Sequence, residues 1–486
     1  MSTADTAMGI RNGAQYLAGL RDDRAVWLGG QRVADVTTEP GLCRGAHALA
    51  GFLDKQFDPA LADTLTYEDH GRRYGMSFLV PRSPADIARR GAAFYTWARW
   101  SNGMFGRTPD YKNASLMAFA AAADFLAQGR PEFGENMRHY YQYVRDNDKV
   151  LTHTLVNPTF NHAQAKDGKY SDKVALQIVK ETDAGIVVNG ARLLATLGPL
   201  ADEIEVFPSS LLTASPDNLP FAFAFALPIA TPGVRLICRD SYDLQQSHFD
   251  APLASRFEEM DAVVVFDQVL VPWERVFMYR EPLLCNRAFA ETNAVVHMMH
   301  QVVCSKLAKA EFIVGLLCAM ARATGKDKDM EVKAQIAEAM WVAESVRAFR
   351  YAGEGQAHAD QRGVFVPLRR PLDTSRNLFP KMYPRLIELV QLLGSSSLVA
   401  IPCAADFSND LGPDVAQYFQ TVNLDSRARV ALFRLAHDVA VSAFGSRQTL
   451  YERFFFGPQN IMASIYFDLY DKDEMMARVE AMLACD

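Results

Sequence analysis

The segment FAFAF, from Phe221 to Phe225, alternates large and small apolar residues, so its two faces differ. A period of two predicts a β-strand. Short β-branched and aromatic runs also cover residues 174–180, 185–189 and 203–207, with turn residues between them. The sequence from residue 149 to residue 280 therefore predicts a compact β domain.

Helices are predicted on the N-terminal side of this domain, over residues 1–148. Ser83 followed by Pro84 is typical of a helix start, with a capping side chain and proline at the first helical position. Residues 114–128 are rich in alanine and apolar nearly all round, which indicates a buried helix. We therefore expect an N-terminal helical domain.

Helices return on the C-terminal side, over residues 281–486. Those predicted over residues 293–324 and 330–353 are long, and long neighbouring helices pack as a bundle. Pro367 to Pro371 is predicted to be a crossover loop before a helix over residues 379–394. The predicted fold class is α+β, mainly α, in the order helical domain, β domain, helical bundle.

The composition excludes several classes of protein. The chain has 486 residues, 49% of them hydrophobic, and a formal net charge of −7. It lacks the basic excess of a nucleic-acid binder, and no window reaches the roughly 18 apolar residues of a membrane span. Seven cysteines are widely scattered, which favours a cytoplasmic location over a disulfide scaffold.

Several common motifs are missing from the sequence. There is no GxGxxG after a predicted strand and no GxxxxGK[ST], so a Rossmann-type nicotinamide site and a P-loop are not expected. There is also no HExxH, CxxC or GxSxG, so nothing supports a zinc enzyme or a serine hydrolase.

One polar cluster is GRTPDYKN, which begins at Gly106. Arg107 is a permanent cation with five donors and suits an anion or a polarised oxygen. Tyr111 offers a phenol for hydrogen bonding. The alternative is a plain loop in which Arg107 pairs with a carboxylate.

Two more polar clusters flank predicted strands. In LTHTLVNP, which begins at Leu151, His153 is a candidate general acid or base. Thr196, between apolar residues and before Gly198, can present a hydroxyl donor to a planar ligand. The alternatives are a satisfied buried histidine and an ordinary threonine at a strand end.

His297, His300 and Cys304 are spaced so that they share one face of a helix. Three interpretations are open. They are a soft-metal or iron–sulfur ligand set, residues of the core, or a histidine pair that lines a cleft. The last interpretation makes His297 a candidate substrate contact. We expect no metal, because no cysteine lies between Cys43 and Cys238 to complete a cluster.

Longer motifs around these residues resemble the large oxygenase component of the two-component, flavin-dependent 4-hydroxyphenylacetate 3-hydroxylases. They run along the whole chain: YLAGLRDDRAVW from Tyr16, GRTPDYKN, LTHTLVNP, ETDAGIVVNGARLLAT up to Thr196, SRFEEMDAVVVFDQVLVPWERVF from Ser255, and FGSRQTLYERFF near the C-terminus. That family has an acyl-CoA dehydrogenase-like fold. The resemblance implies the same helix–β–helix protomer, with a barrel-like central β domain, in a homotetramer built from two dimers.

The resemblance also implies a reaction. The chain is expected to hydroxylate a phenolic ring, ortho to its hydroxyl group, through a C4a-hydroperoxide formed from FADH2 and O2. The missing nicotinamide motif agrees, because a separate NAD(P)H:flavin reductase would supply the reduced flavin. The substrate stays open between a free phenolic acid, a halophenol, a tyrosine derivative and a carrier-bound aromatic.

The resemblance further assigns residues. Arg107, Tyr111 and His153 fall at the family's catalytic and substrate positions, and either His153 or Tyr111 takes the phenol proton. Thr196 falls where a hydroxyl faces flavin N5. Further cofactor contacts are implied for His153, Thr154, Thr159, His162, Ser396, Ser397, Ser446 and Arg447, and further substrate contacts for Ser209 and Ser210.

The chain departs from the family pattern after Asn157-Pro158. The family usually has Asp-Arg shortly afterwards, and that arginine helps to hold the cofactor, but this chain has His162 there. The preference between FAD and FMN is therefore open.

The sequence leaves two alternative functions open. A radical flavoenzyme like 4-hydroxybutyryl-CoA dehydratase fits the spacing of His297 and Cys304 but lacks the N-terminal cysteine pair. A non-catalytic flavin-binding paralogue is the other, and the retained Arg107, Tyr111, His153 and Thr196 argue against it.

Overall fold

A computed structural model describes residues 9–160, 173–208 and 212–484. Over these residues the chain is mainly helical, with two larger β-sheets between an N-terminal and a C-terminal group of helices. The predicted fold class is confirmed. The strands described form open sheets of six and four strands and no closed barrel.

The N-terminal helices follow the predicted pattern at their best-marked start. The Ser83 side chain accepts the backbone N–H of Asp86, and Pro84 is the first residue of its helix. The predicted buried helix is present but ends earlier than expected, at Ala121. The N-terminal helices are Gly13–Gly19, Cys43–Asp54, Ala62–Leu65, Pro84–Trp100, Pro109–Ala121, Ala123–Leu126 and Pro131–Asp146.

The N-terminal region also contributes strands that the sequence did not reveal. Ala25–Leu28 enters the large sheet beside Val234–Cys238, in parallel, and Gln31–Arg32 pairs with its other edge. A separate hairpin joins Thr66–Asp69 to Arg72–Gly75.

The larger sheet has six strands and the smaller has four. Their strand orders are Gln31–Arg32, Ala25–Leu28, Val234–Cys238, Asp261–Pro272, Gly185–Thr196 and Gln177–Thr182 in the first, and Val276–Tyr279, Phe223–Pro228, Glu203–Val206 and Leu151–Thr154 in the second. Phe223 to Phe225 of the alternating segment lie in the smaller sheet, where both faces of the strand are buried, whereas Phe221 ends a short 3-10 helix. The short helix Ala254–Phe257 precedes the central strand of the larger sheet.

The C-terminal helices pack around one 30-residue helix, Ala294–Ala323, which we call the long helix. The predicted loop from Pro367 to Pro371 is wrong in part, because a helix begins at Arg369 and tolerates Pro371 in its first turn. The other C-terminal helices are Pro282–Glu291, Met330–Gly355, Arg369–Gly394, Gly412–Tyr418, Ser426–Ala440, Ala443–Phe454, Gln459–Leu469 and Asp473–Leu483, with a small hairpin of His358–Ala359 and Phe365–Val366.

Among the described residues, no helix is long and apolar enough to cross a membrane. The expected domain boundaries, after residues 148 and 280, stay predictions.

Candidate functional site

Arg107, Tyr111 and His153, predicted from separate motifs, lie side by side. The guanidinium carbon of Arg107 lies 4.5 Å from the centre of the Tyr111 ring, and the ring centres of Tyr111 and His153 are 5.9 Å apart. Nε and Nη1 of Arg107 are buried and have no hydrogen-bond partner among the described residues. A buried cation with two available donors suits an anionic oxygen.

Helix geometry and strand pairing place these side chains. Proline suits the first turn of a helix, and Pro109 begins the helix whose first turn contains Tyr111. His153 lies on the strand Leu151–Thr154, directly opposite Glu205 of the neighbouring parallel strand. The helix start and the sheet edge thus bring a phenol and an imidazole together.

A buried ion pair lies beside His153. The Lys112 ammonium is 2.6 Å from the Glu205 carboxylate, and these side chains are only 3% and 1% exposed. Burial, and then the charges of Lys112 and Arg107, hold the pKa of His153 well below its ordinary value. His153 is therefore neutral near pH 7 and available to accept a proton.

Tyr111 keeps its proton at neutral pH because its pKa is raised. Burial raises the pKa of its phenol, and the Arg107 charge only partly offsets this. The Tyr111 hydroxyl can thus donate a hydrogen bond at neutral pH, while the neutral His153 can accept one.

Phe455, from the C-terminal bundle, packs against both Arg107 and Tyr111. Its ring centre is 4.3 Å from the Arg107 guanidinium carbon and 5.4 Å from the Tyr111 ring centre. Met298 and Val302 of the long helix complete a small apolar cluster around Tyr111. We call Arg107, Tyr111, His153 and Phe455 the aromatic site.

A chain of polar contacts joins Thr196 to the loop that carries Arg107. The Thr196 hydroxyl donates to Asp261 at 2.7 Å, and the Arg447 guanidinium donates to Asp261 at 2.7 Å and to Glu259 at 2.5 Å. Glu259 in turn accepts two backbone N–H groups of the loop, one of them from Arg107. Burial alone would raise the pKa of Asp261, but the Arg447 charge, followed by that of Arg239 and the Thr196 hydrogen bond, lowers it to about 2. We call Thr196, Glu259, Asp261 and Arg447 the Asp261 network.

Thr154 and Thr196, which are predicted to contact a cofactor, lie on adjoining strands. The Thr152 hydroxyl donates to the Thr196 carbonyl oxygen at 2.6 Å, and the Thr154 hydroxyl donates to the Leu193 carbonyl oxygen at 2.7 Å. These bonds hold the strand that carries His153 against the end of the strand that carries Thr196.

A partly exposed apolar surface lies next to these threonines. Val156 and Leu194 are 52% and 58% exposed, and the Asn157 side-chain oxygen is buried without a hydrogen-bond partner in the part of the chain that is described. Apolar side chains beside an available acceptor fit a planar ring with polar edges, such as a flavin. The residues present therefore fit the expected cofactor.

The other predicted cofactor contacts are more widely distributed. Thr159, Ser396 and Ser446 are exposed, and the Ser397 hydroxyl accepts a hydrogen bond from Arg429. Their roles, and that of Arg447 beyond the Asp261 network, stay predictions. Three predicted contacts lie outside the described residues: His162, Ser209 and Ser210.

His297, His300 and Cys304 share a buried helix face. Potential ligand atoms of His300, Cys304 and Glu354 lie within 4.8 Å of one another. The Glu354 carboxylate is already bonded to His300 at 2.9 Å and to a neighbouring arginine at 2.8 Å, so this group is a compact ion-pair cluster. His297 lies 3.3 Å from the Arg90 guanidinium, and its substrate role stays a prediction.

Sequence reasoning missed Lys112, Glu205, Asp261 and Phe455. Lys112 follows Tyr111 within GRTPDYKN, and Glu205 is a charged residue inside an otherwise apolar strand, so both carried a local signal. Phe455 is more than 300 residues from Arg107, and no local pattern predicts such a contact.

Two family descriptions match most of the chain. 4-hydroxyphenylacetate 3-hydroxylase N terminal matches residues 12–278, and 4-hydroxyphenylacetate 3-hydroxylase C terminal matches residues 285–484. The 4-hydroxyphenylacetate 3-monooxygenase oxygenase component of Thermus thermophilus is 45% identical over 474 residues, which cover 97% of each chain.

Solved structures are similar over the same length. The crystal structure of an oxygenase component of 4-hydroxyphenylacetate 3-monooxygenase with FAD has a TM-score of 0.94 at 44% identity, and covers 98% of each chain. A structure with FAD and 4-hydroxyphenylacetate has a TM-score of 0.93 at 44% identity, over 97% of this chain and 98% of the other. An archaeal 4-hydroxybutyryl-CoA dehydratase has a TM-score of 0.87 at 17% identity, over 98% of this chain and 96% of the other. This last likeness shows the fold alone.

Proposed function

Because the chain belongs to the 4-hydroxyphenylacetate 3-hydroxylase family, we propose that it is the oxygenase component of a two-component, FAD-dependent monooxygenase. Its substrate is 4-hydroxyphenylacetate or a closely similar phenolic acid. The ring gains one hydroxyl group ortho to the first, O2 supplies that oxygen atom, and FADH2 leaves as FAD with water as the second product. The observation that carries this proposal is the buried contact of Arg107, Tyr111 and His153.

The strands beside Thr196 would hold the flavin ring. Bound FAD, supplied in its reduced form, provides the two electrons that activate O2. The Thr196 hydroxyl donates to Asp261, so its oxygen remains available to accept a hydrogen bond from the ring edge. Val156 and Leu194 would lie against the ring and exclude water from it.

His153 accepts the substrate's phenol proton in this proposal. A phenolate is more nucleophilic at its ortho carbon than a phenol, so removing that proton favours oxygen transfer. The low pKa of His153, caused first by burial, keeps its imidazole unprotonated but makes it a weak base. Proton transfer to it therefore requires that the Arg107 charge stabilise the phenolate that forms. Tyr111 donates a hydrogen bond to the same substrate oxygen and holds it within reach of His153.

Arg107 stabilises negative charge that develops at the aromatic site. Its Nε and Nη1 have no hydrogen-bond partner among the described residues, and the rings of Tyr111 and Phe455 pack against the guanidinium. An anionic oxygen in this water-poor setting would interact more strongly with Arg107 than it would in water.

The proposal includes a partner and an assembly. A separate NAD(P)H:flavin reductase supplies reduced FAD, and the chain forms a homotetramer in the cytoplasm. Exposed apolar side chains on the last two helices, among them Phe467, Leu469 and Val479, support assembly, because such a surface is typical of a protein interface.

A reductase-dependence assay tests the proposal. The purified chain with NADH, FAD and 4-hydroxyphenylacetate should give no hydroxylated product, and addition of a flavin reductase should start its formation. Product without the reductase would show an internal reduction site and contradict the two-component assignment. Stoichiometric iron and sulfide in the purified chain would instead favour the dehydratase alternative.

A further inference from the structure

A cavity of about 220 Å³ lies on the C-terminal side of the aromatic site. We call it the C-terminal cavity. Arg107, Tyr111 and His153 do not line it, but Phe455 does, so that ring separates it from Arg107. An apolar cavity of about 150 Å³ is enough to take up benzene. The C-terminal cavity therefore has room for a substituted benzene ring.

The walls of the C-terminal cavity combine apolar side chains with positive charge. The apolar part includes Met299, Val302, Leu372, Phe379, Phe455 and Phe456. The charged lining residues are four cations and one carboxylate: Lys306, Arg376, Lys381, Arg453 and Glu452. Such walls favour a ligand that is both apolar and anionic.

The two buried cations of the wall are not fully neutralised. Glu452 is bonded to Lys306 and also to Lys309, whose ammonium lies 2.6 Å from the carboxylate. Since one carboxylate serves two lysines, this group carries one excess positive charge.

The Arg376 group repeats this arrangement. Asp373 contacts the Arg376 guanidinium at 2.5 Å and the Arg369 guanidinium at 2.7 Å, and the Arg376 side chain is 5% exposed. The Arg376 Nε is buried and has no hydrogen-bond partner among the residues described. A buried donor without an acceptor is costly unless a ligand satisfies it.

We propose that the C-terminal cavity is a second ligand site, which binds a small aromatic carboxylate. The ring lies among Met299, Phe379 and Phe456, and the carboxylate accepts hydrogen bonds from Arg376 and Lys306. This site stands whether or not the chain hydroxylates phenols, because it rests on the cavity and its charges alone.

Calorimetric titration of the FAD-loaded chain with phenylacetate tests the proposal. An Arg107→Met background removes the cation of the aromatic site, so the binding that remains reports the C-terminal cavity. We expect phenylacetate to bind in that background, and the neutral analogue 2-phenylethanol to bind about tenfold more weakly or worse, as for a lost charged hydrogen bond. No binding in the Arg107→Met chain, or equal affinity for both compounds, would overturn the proposal.

Two further substitutions locate the site. Met462→Trp, which fills the cavity, should abolish binding, and Arg376→Leu should weaken it by about tenfold or more. Arg370→Leu is the matched control, since Arg370 is exposed on the same helix and does not line the cavity, so the affinity should stay unchanged. Equal loss in Arg370→Leu and Arg376→Leu, or full binding in Met462→Trp, would contradict the assignment. The thermal midpoint of each variant verifies folding. If Arg376→Leu does not fold, binding to Met462→Trp alone decides whether the ligand occupies the cavity.

Discussion

His153 is the residue on which the proposed chemistry depends. It lies between a phenol that keeps its proton and a buried ion pair, and its own pKa is well below the ordinary value because of burial and the nearby cations. A neutral imidazole next to Tyr111 is suited to accept a proton from a substrate phenol. The groups that face it are Arg107, Tyr111, Lys112 and Glu205.

Replacing His153 should separate chemistry from cofactor binding. We expect His153→Asn to lower the hydroxylation rate about a hundredfold or more, as for loss of a general base, while the Kd for FAD stays unchanged. Rate measurements with added FADH2 and a fluorescence titration with FAD give the two values. A parallel loss of FAD affinity would assign His153 to the cofactor instead.

The pH dependence of the reaction should reflect Lys112. In the wild type His153 is neutral well below pH 6.5, so activity falls only as the pH drops through that low pKa. Removal of the Lys112 charge, in the paired variant Lys112→Met with Glu205→Gln, should raise the pKa of His153 and move the acid limb of kcat/KM to higher pH. Lys180→Met, an exposed change, is the control and should leave the limb in place. An unmoved limb in the paired variant would show that Lys112 does not act on His153.

At the scale of elements, the Asp261 network connects three parts of the chain. Arg447 on the helix Ala443–Phe454 bonds to Glu259 and Asp261, and these hold the loop before Tyr111 and the hydroxyl of Thr196. Arg447 thus helps to position the aromatic site relative to the strands, together with Arg239, which also bonds to Asp261.

Loss of Arg447 should therefore be costly. We expect Arg447→Met to lower the free energy of unfolding by about 3 kcal/mol, because the buried Glu259 then has no cationic partner among the described residues and Asp261 keeps only Arg239 and the Thr196 hydroxyl. Urea denaturation measures this loss. Arg453→Met, on the same helix but exposed, should change the free energy by no more than about 0.5 kcal/mol. Similar losses for both variants would show that the network is not what holds the helix.

Elements with strong local signals were predictable, and elements defined by distant partners were not. The long helix was predicted over residues 293–324 and is found at Ala294–Ala323, because its apolar pattern is continuous. The strand Ala25–Leu28 was missed, because it is short and its partner is about 200 residues away. The aromatic site shows the same limit: its motifs were visible, but the cover provided by Phe455 depends on tertiary packing.

At the scale of the whole molecule, the last two helices expose apolar side chains along their length. Examples are Phe467, Leu469, Val479 and Met482. A surface of this kind is stable in water when a second copy covers it.

Truncation tests the proposed homotetramer. A chain that ends at Gly457 lacks both helices, so light scattering should give a molar mass below that of a tetramer. A full-length chain with Leu469→Lys and Val479→Lys is the control for truncation and should also dissociate. An unchanged tetramer in both chains would place the interface elsewhere, and a monomeric wild type would contradict the assembly.

The central claim is that this chain transfers one atom of O2 to a phenolic ring with electrons from reduced FAD. A single-turnover reaction tests it: the chain with chemically reduced FAD and 4-hydroxyphenylacetate is mixed with ¹⁸O2, and the product is analysed by mass spectrometry. We expect a dihydroxyphenylacetate with one ¹⁸O atom, in an amount close to that of the bound flavin. Hydrogen peroxide with no hydroxylated product, or product that contains oxygen from water, would contradict the claim.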